Sequence, residues 1–267
     1  MRFQQIFTNS QAAHDFYSSF EISQGPLYHY TTAEAIESIS DTNQLWISRA
    51  DSFLDTREVN YGTEVLLRAV EAHEAGSNDE MSEIVSAVGE ALADCYILSL
   101  TINPANAFLA GEYGDQILEL PENFPILLRA TSWHTQPVGD GSFKLFYFTD
   151  LYKLNEGFVI YDNEAQTRLA TKAVTAFFDL LTTDYGEPKI LNQIDIVRIL
   201  TMCIVLFKEK DFEREEEYRV MLHRQHSPGV PNFEETHSYN GRERKIIKAT
   251  NPELRKELTV STYDHGH

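Results

Sequence analysis

Apolar positions recur along this chain with two periods, and the switches between them outline its elements. PLYHYT (26–31) is a short aromatic run with Pro26 at its edge, which predicts a strand. Thr32 then reads as an N-cap, with Ala35, Ile36 and Ile39 forming the apolar face of a helix over 33–40. QLWIS (44–48) predicts a second strand. Residues 57–75 and 80–93 read as amphipathic helices parted by the turn signal GSND at 76–79. CYILSLT (95–101) is nearly continuous in apolar residues and fits a strand inside a sheet. Residues 104–118 fit neither period. FPILLRAT (124–131), FKLFYFTDLY (143–152) and GFVIYD (157–162) predict strands, the first two joined by a loop containing GDG at 139–141. Residues 163–183 and 190–206 predict helices. EEEYRVMLH (215–223) has strand character, and RKIIKA (244–249) and KELTVST (256–262) have weaker strand character.

Helices and strands alternate without a steady βαβ rhythm, which favours α+β over a doubly wound parallel sheet. No internal repeat, low-complexity tract or linker interrupts the chain. The expectation is one domain over 1–267, with a motif-bearing core at about 26–221 and a C-terminal extension at 222–267.

The 267 residues carry 41 acids against 22 bases, a formal net charge of −19. A protein that coats nucleic acid gains affinity by neutralising phosphates, so this balance argues against that role. The acidity is uneven: residues 1–133 hold 20 acids and 5 bases. Cys95 and Cys203 both sit in apolar runs and read as buried free thiols. No signal peptide opens the sequence, and no window approaches the ~20 apolar residues of a membrane span. These features predict a protein of the reducing cytoplasm with no membrane anchor.

The sequence lacks GxGxxG after a strand, GxxxxGK[ST], GxSxG and HExxH, which argues against the enzymes built on them. His223 and His226 are three apart, and His265 and His267 sit at the C-terminus; in a strand or loop such spacing is weak evidence for zinc, which wants four well-placed donors, so they read as solvated and no metal is expected. Two stretches stand out. LYHYTTAEAIESISDTNQLWISRADSFLD (27–55) couples two strands to an acidic loop, and FKEKDFEREEEYRV (207–220) crowds carboxylates with bases. If 215–220 is strand, Glu215, Glu217 and Arg219 share one face. Two like charges on one face call for exposure, a cationic partner or a catalytic task. A solvated charge run is the plain alternative.

The combination LYHYTT…LWISRADSFLD…ILSLT…FKEKDFEREEEYRV resembles the bacterial family domain of unknown function 2971. That family's pattern is YHYT, LW-S with an acidic DP-E loop, a serine-bearing strand, then FK and E-x-E-Y-R. The match spans about residues 26–221. The layout is in turn similar to the ADP-ribosyltransferase superfamily. The resemblance implies a split mixed or antiparallel sheet with helices around it, and NAD as substrate. It makes Glu217 the catalytic glutamate and Glu215 the first member of the E-x-E pair. His29, with Tyr30 and Thr31 beside it on the strand, would meet the adenosine-side ribose. Trp46 and Ser48 would form the second motif. The family's loop asparagine and proline are replaced here, while Asp55 and Glu58 remain.

The chemistry agrees with that layout. Breaking the nicotinamide–ribose bond develops positive charge on the ribose, which a carboxylate such as Glu217 stabilises. Tyr30 or Trp46 offers an aromatic face to the nicotinamide. Arg49 and Arg57 are nearly the only cations in the acidic half that a pyrophosphate could meet. The expected activity is transfer of ADP-ribose to an unknown protein, nucleic-acid or small-molecule acceptor, or to water. The alternatives are a non-catalytic nucleotide- or protein-binding module of the same fold and, more weakly, a metal-dependent nuclease using the carboxylates of 211–217.

Overall fold

The computed structural model describes residues 11–52, 56–73, 88–89, 92–138, 141–182, 189–225, 232–239, 241–250 and 258–264. Among the described residues eleven strands form one sheet, and all the named strand pairs are antiparallel. One isolated parallel bridge, Ile160 to Phe207, lies outside the strands, so the sheet is antiparallel rather than mixed.

In chain order the elements begin with α1 (Gln11–Tyr17), β1 (Leu27–Thr31), α2 (Ala33–Thr42), β2 (Gln44–Arg49), a 3₁₀ turn (Ala50–Ser52) and α3 (Thr56–Glu71). Next come β3 (Cys95–Thr101), α4 (Ala107–Tyr113), β4 (Gln116–Leu120), α5 (Phe124–Thr131), β5 (Trp133–Pro137), β6 (Phe143–Tyr147), α6 (Phe148–Leu151) and β7 (Tyr152–Phe158). The chain ends with α7 (Asn163–Thr182), α8 (Lys189–Leu206), a 3₁₀ helix (Lys210–Glu215), β8 (Glu217–Arg224), β9 (Glu235–Tyr239), β10 (Arg242–Thr250) and β11 (Thr259–Thr262).

The strand order is β11-β4-β1-β3-β2-β10-β5-β6, with β8 pairing both β3 and β7, and β9 pairing β10. β3 is the pivot. β8 runs along it from Cys95↔His223 to Thr101↔Glu217. Its other neighbours divide the remaining edge: β1 pairs at Tyr28↔Thr101, β2 at Ser48↔Ile97 and Arg49↔Tyr96. The two early strands therefore diverge across the middle of β3.

One face of the sheet packs Leu27, Leu45, Ile47, Leu98, Leu118 and Val220 into a leucine-rich layer. The other packs Cys95, Ile97 and Met221 against α3, α7 and α8. Gly62 lets α3 lie directly on α8, because a Cβ there would overlap the Ile204 backbone. The 222–267 extension is not an appendage, since β10 pairs β2 through five residues and β11 pairs β4.

Several expectations change. FPILLRAT is α5, not a strand: a proline opens it, and Phe124 and Leu128 bury at helical spacing. The run 143–152 is broken by α6, and the next strand is 152–158 rather than 157–162. Residues 104–118 resolve into α4 and β4. Most of the expected helix at 80–93, together with GSND, Asp55, His226, His265 and His267, lies outside the described residues. His223 is buried, not solvated, because β8 is flanked by strands on both sides. Both cysteines are buried and free. Among the described residues, no helix is long and apolar enough to cross a membrane.

Candidate functional site

The start of β8 carries a buried ion network. Glu215 is not on the strand. It ends the preceding 3₁₀ helix, and Glu216 turns the chain with φ 48° before Glu217 enters the sheet. The two carboxylates nevertheless meet at Lys208, which follows α8. Lys208 Nζ lies 2.6 Å from Glu215 Oε2, 3.0 Å from Glu217 Oε2 and 3.4 Å from Glu58 Oε1. Arg219 closes the network from the neighbouring position on the same strand face. Its Nε donates to Glu217 Oε1 at 2.7 Å and its terminal nitrogen to Glu58 Oε2 at 2.5 Å. A second terminal nitrogen donates to the Val205 carbonyl. Lys208, Glu215, Glu217 and Arg219 are each nine-tenths or more buried, and Glu58 is the member nearest solvent.

Three acids face two bases. Burial alone would raise the Glu217 carboxyl, but Arg219 and Lys208 outweigh it and, with the Ser99 side chain, hold it at about 2. Burial raises Glu215 against the opposing pull of Lys208. Burial would lower Lys208 and Arg219, yet the surrounding glutamates raise both. The site thus keeps one carboxylate firmly ionised beside a second that ionises less readily. The Lys208 ammonium lies between three carboxylates.

Two phenols border the network. The Glu217 backbone N–H donates to Tyr161 Oη at 3.2 Å. Tyr113, at the end of α4, is 53% exposed as a residue, yet burial and then Glu215 push its hydroxyl up to about 12. Gly114 follows it with φ +116°, pressed against the Thr31 carbonyl where a side chain would not fit.

The remaining expected site residues do not join this network. Tyr28 pairs with Thr101, which pairs with Glu217, so His29 alternates onto the opposite strand phase. Its Nδ1 lies 3.0 Å from the Ser99 carbonyl of β3. Burial lowers the His29 pKa, so a neutral ring donates there. Ser99 links both sides, since its carbonyl takes His29 and its side chain hydrogen-bonds Glu217. Tyr30 is buried: its hydroxyl donates to the Asn103 carbonyl and accepts from the Asn106 N–H at 2.8 Å. Thr31 ends β1 against Gly114.

Ser48 is buried in phase with Glu217, but four residues along β3 and two strands across, roughly 16 Å between Cα atoms. Trp46 is 48% exposed, its ring 4.4 Å from that of His237 and beneath the Lys248 ammonium. Arg49 is held by Asp51 and Glu234, both of its terminal nitrogens and Nε being engaged. It is therefore an anchor for the 232–239 segment rather than an available cation.

Sequence reasoning passed over Ser99, Lys208, Tyr113 and Tyr161 as site residues, and gave Glu58 little weight. The signals for three of them stood in the motifs quoted for the resemblance: Glu58 in the acidic loop, Ser99 in ILSLT, Lys208 in FK. Nothing local marks Tyr113 or Tyr161. Two surface hollows are described, one of about 190 Å³ bounded by Ile36, Ile39, Leu118 and Val260, the other between α1 and α7. Neither is lined by the network. No family model matches the chain, and no curated protein or solved structure matches it.

Proposed function

We propose that this chain is an ADP-ribosyltransferase-like enzyme that cleaves the nicotinamide–ribose bond of NAD at Glu217. The observation that carries the reading is the convergence of Glu58, Ser99, Lys208, Glu215, Glu217 and Arg219 on one spot. These residues come from three of the quoted stretches, the acidic loop, ILSLT and FKEKDFEREEEYRV, and each stretch resembles the pattern of one family. The divergence of β1 and β2 from β3 is compatible with the split sheet of that superfamily.

The chemistry follows from the charge. The C1′–N bond breaks with its electron pair leaving on nicotinamide, and the ribose becomes oxocarbenium-like. An ionised Glu217 stabilises that cation. A hydroxyl or amine of the acceptor, or water, then bonds to C1′ and releases its proton. Tyr113, half exposed at the end of α4, offers an aromatic ring to the nicotinamide. In this reading His29 keeps β1 and β2 apart rather than touching the dinucleotide. The buried free thiols fit a cytoplasmic setting.

The test is release of labelled nicotinamide from NAD by the purified chain, with and without candidate acceptors. Glu217→Gln is expected to slow release about 10²- to 10³-fold, with a melting curve run alongside to establish folding. Absence of release, together with absence of NAD binding heat, overturns the reading.

A second reading, a non-catalytic module of the same fold, is favoured by one observation: both Glu217 oxygens are already engaged by Arg219 and Lys208. It expects ADP-ribose or partner binding without nicotinamide release, and no change on Glu217→Gln in a folded protein.

A further inference from the structure

We propose that β6 pairs with β6 of a second copy of this chain, antiparallel about a two-fold axis, so that two sheets join into one. This proposal stands apart from the NAD reading.

β6 ends the strand order, and among the described residues no strand pairs with its outer side. Such an edge offers unpaired N–H and C=O groups to another strand. Natural edges are usually guarded by charge; here the one charged side chain, Lys144, lies over the Phe146 ring on one face, and the other face is apolar. Phe143 is 67% exposed, Leu145 45% and Tyr147 54%. These three alternate along the strand and so share one face. The hairpin over 133–147 holds one acid and one base in a chain of net charge −19. It is a locally neutral place at which two strongly acidic copies can meet without like charges in register.

The pattern is self-complementary. In an antiparallel pair centred on Leu145, Leu145 faces Leu145 of the other copy, and Phe143 faces Tyr147 in both directions. Each residue of the stripe thereby gains an apolar cross-strand neighbour, as an isologous interface requires. Pairing β6 with β11, which lies at the other end of the strand order, would be head-to-tail and would leave the remaining ends open for polymerisation. β11 offers Val260 as its one exposed large apolar side chain, flanked by Thr259, Ser261 and Thr262, a poorer match to these aromatics. The stripe contributes about 100 Å² per side chain at these exposures, so two copies cover about 600 Å² before the backbone ladder is counted. That is below the roughly 1,200–2,000 Å² of a standard stable interface. The association is therefore weak and concentration-dependent.

Sedimentation velocity from low to high micromolar protein is expected to show a monomer giving way to a dimer. Leu145→Glu is expected to remain monomeric while melting as the wild type does, since the side chain is exposed. Crosslinking supplies the geometry. The native thiols Cys95 and Cys203 are both 0% exposed and stay silent, so Leu145→Cys should give a covalent dimer under mild oxidation. Lys144→Cys, on the opposite strand face, should not. A wild type that is monomeric throughout overturns the proposal. So does association that survives Leu145→Glu but is lost in Val260→Glu on β11, or equal crosslinking at 144 and 145.

Discussion

Lys208 is the residue on which the ion network depends. Its ammonium is within 3.4 Å of three carboxylates, and it is 2% exposed. Replacing it with Met keeps the apolar stem but takes from Glu215 the ammonium it accepts from and leaves Glu217 with Arg219. Removing one partner of a buried pair costs about 3–5 kcal/mol, because the remaining charge stays desolvated. Lys208→Met is therefore expected to lower urea-unfolding stability by that order, whereas Lys210→Met in the same segment should be nearly neutral. Equal effects at both positions would remove the assignment. The sequence could not make this distinction. FKEKDFEREEE presents two lysines among many acids, and a charge run of that kind normally lies in water. What selects Lys208 is the chain reversal at Glu216, together with α3 arriving from 150 residues away, and neither is visible locally. Glu217 and Arg219 were legible because strand alternation places them together. Glu215 reached the same cation by a 3₁₀ helix that alternation does not foresee.

At the scale of elements, β1, α2, β2 and β3 were readable because their periods were undiluted. Thr32 does cap α2, accepting from the Ala35 N–H at 3.3 Å. FPILLRAT was misread because a short run rich in Ile and Leu fits a buried strand as well as a helix. β8 shows the opposite difficulty. EYRVMLHR alternates as a half-exposed strand would, yet seven of its eight residues are buried, since β3 and β7 flank it and helices cover its polar face. The contact between α3 and α8 controls the site from beneath. Gly62 lies one helical turn after Glu58, on the same face, and touches the Ile204 backbone. Gly62→Ala is expected to push α3 away, lengthening the Glu58 contacts to Lys208 and Arg219. Overpacking of this kind costs about 1–3 kcal/mol despite the better helix propensity of alanine. Gly111→Ala, in open space on α4, is the control and should be neutral or mildly stabilising. If Gly62→Ala melts at or above the wild-type temperature, the close approach does not set the position of Glu58.

The molecule as a whole answers to acid through its buried histidines. Burial, then Arg198, lowers His223 to about 3, and burial lowers His134 to about 4 and His29 as well. In the unfolded chain these rings titrate near 6.5. Between roughly pH 6.5 and their folded values the unfolded state binds more protons, so stability falls as pH falls through that window. Glu217 joins lower down: its folded pKa is depressed, so its contribution is present above about 4.5 and is lost as pH falls toward 2. The first loss of stability below about pH 6.5 is thus expected from the histidines, and below about 4.5 the carboxylate adds to it. His223 is the clearest case, because among the described residues neither ring nitrogen has a hydrogen-bond partner. His223→Leu removes a buried imidazole that gains nothing from neutrality beyond avoiding charge. At pH 7 its stability should be equal to or slightly above the wild type. Between pH 6 and 4, its urea-unfolding free energy should decline less steeply, by about 1.4 kcal/mol per pH unit, the slope of one proton. Parallel curves for the two proteins would mean that His223 already carries its proton in the fold, and that Arg198 beside it is compensated by another group.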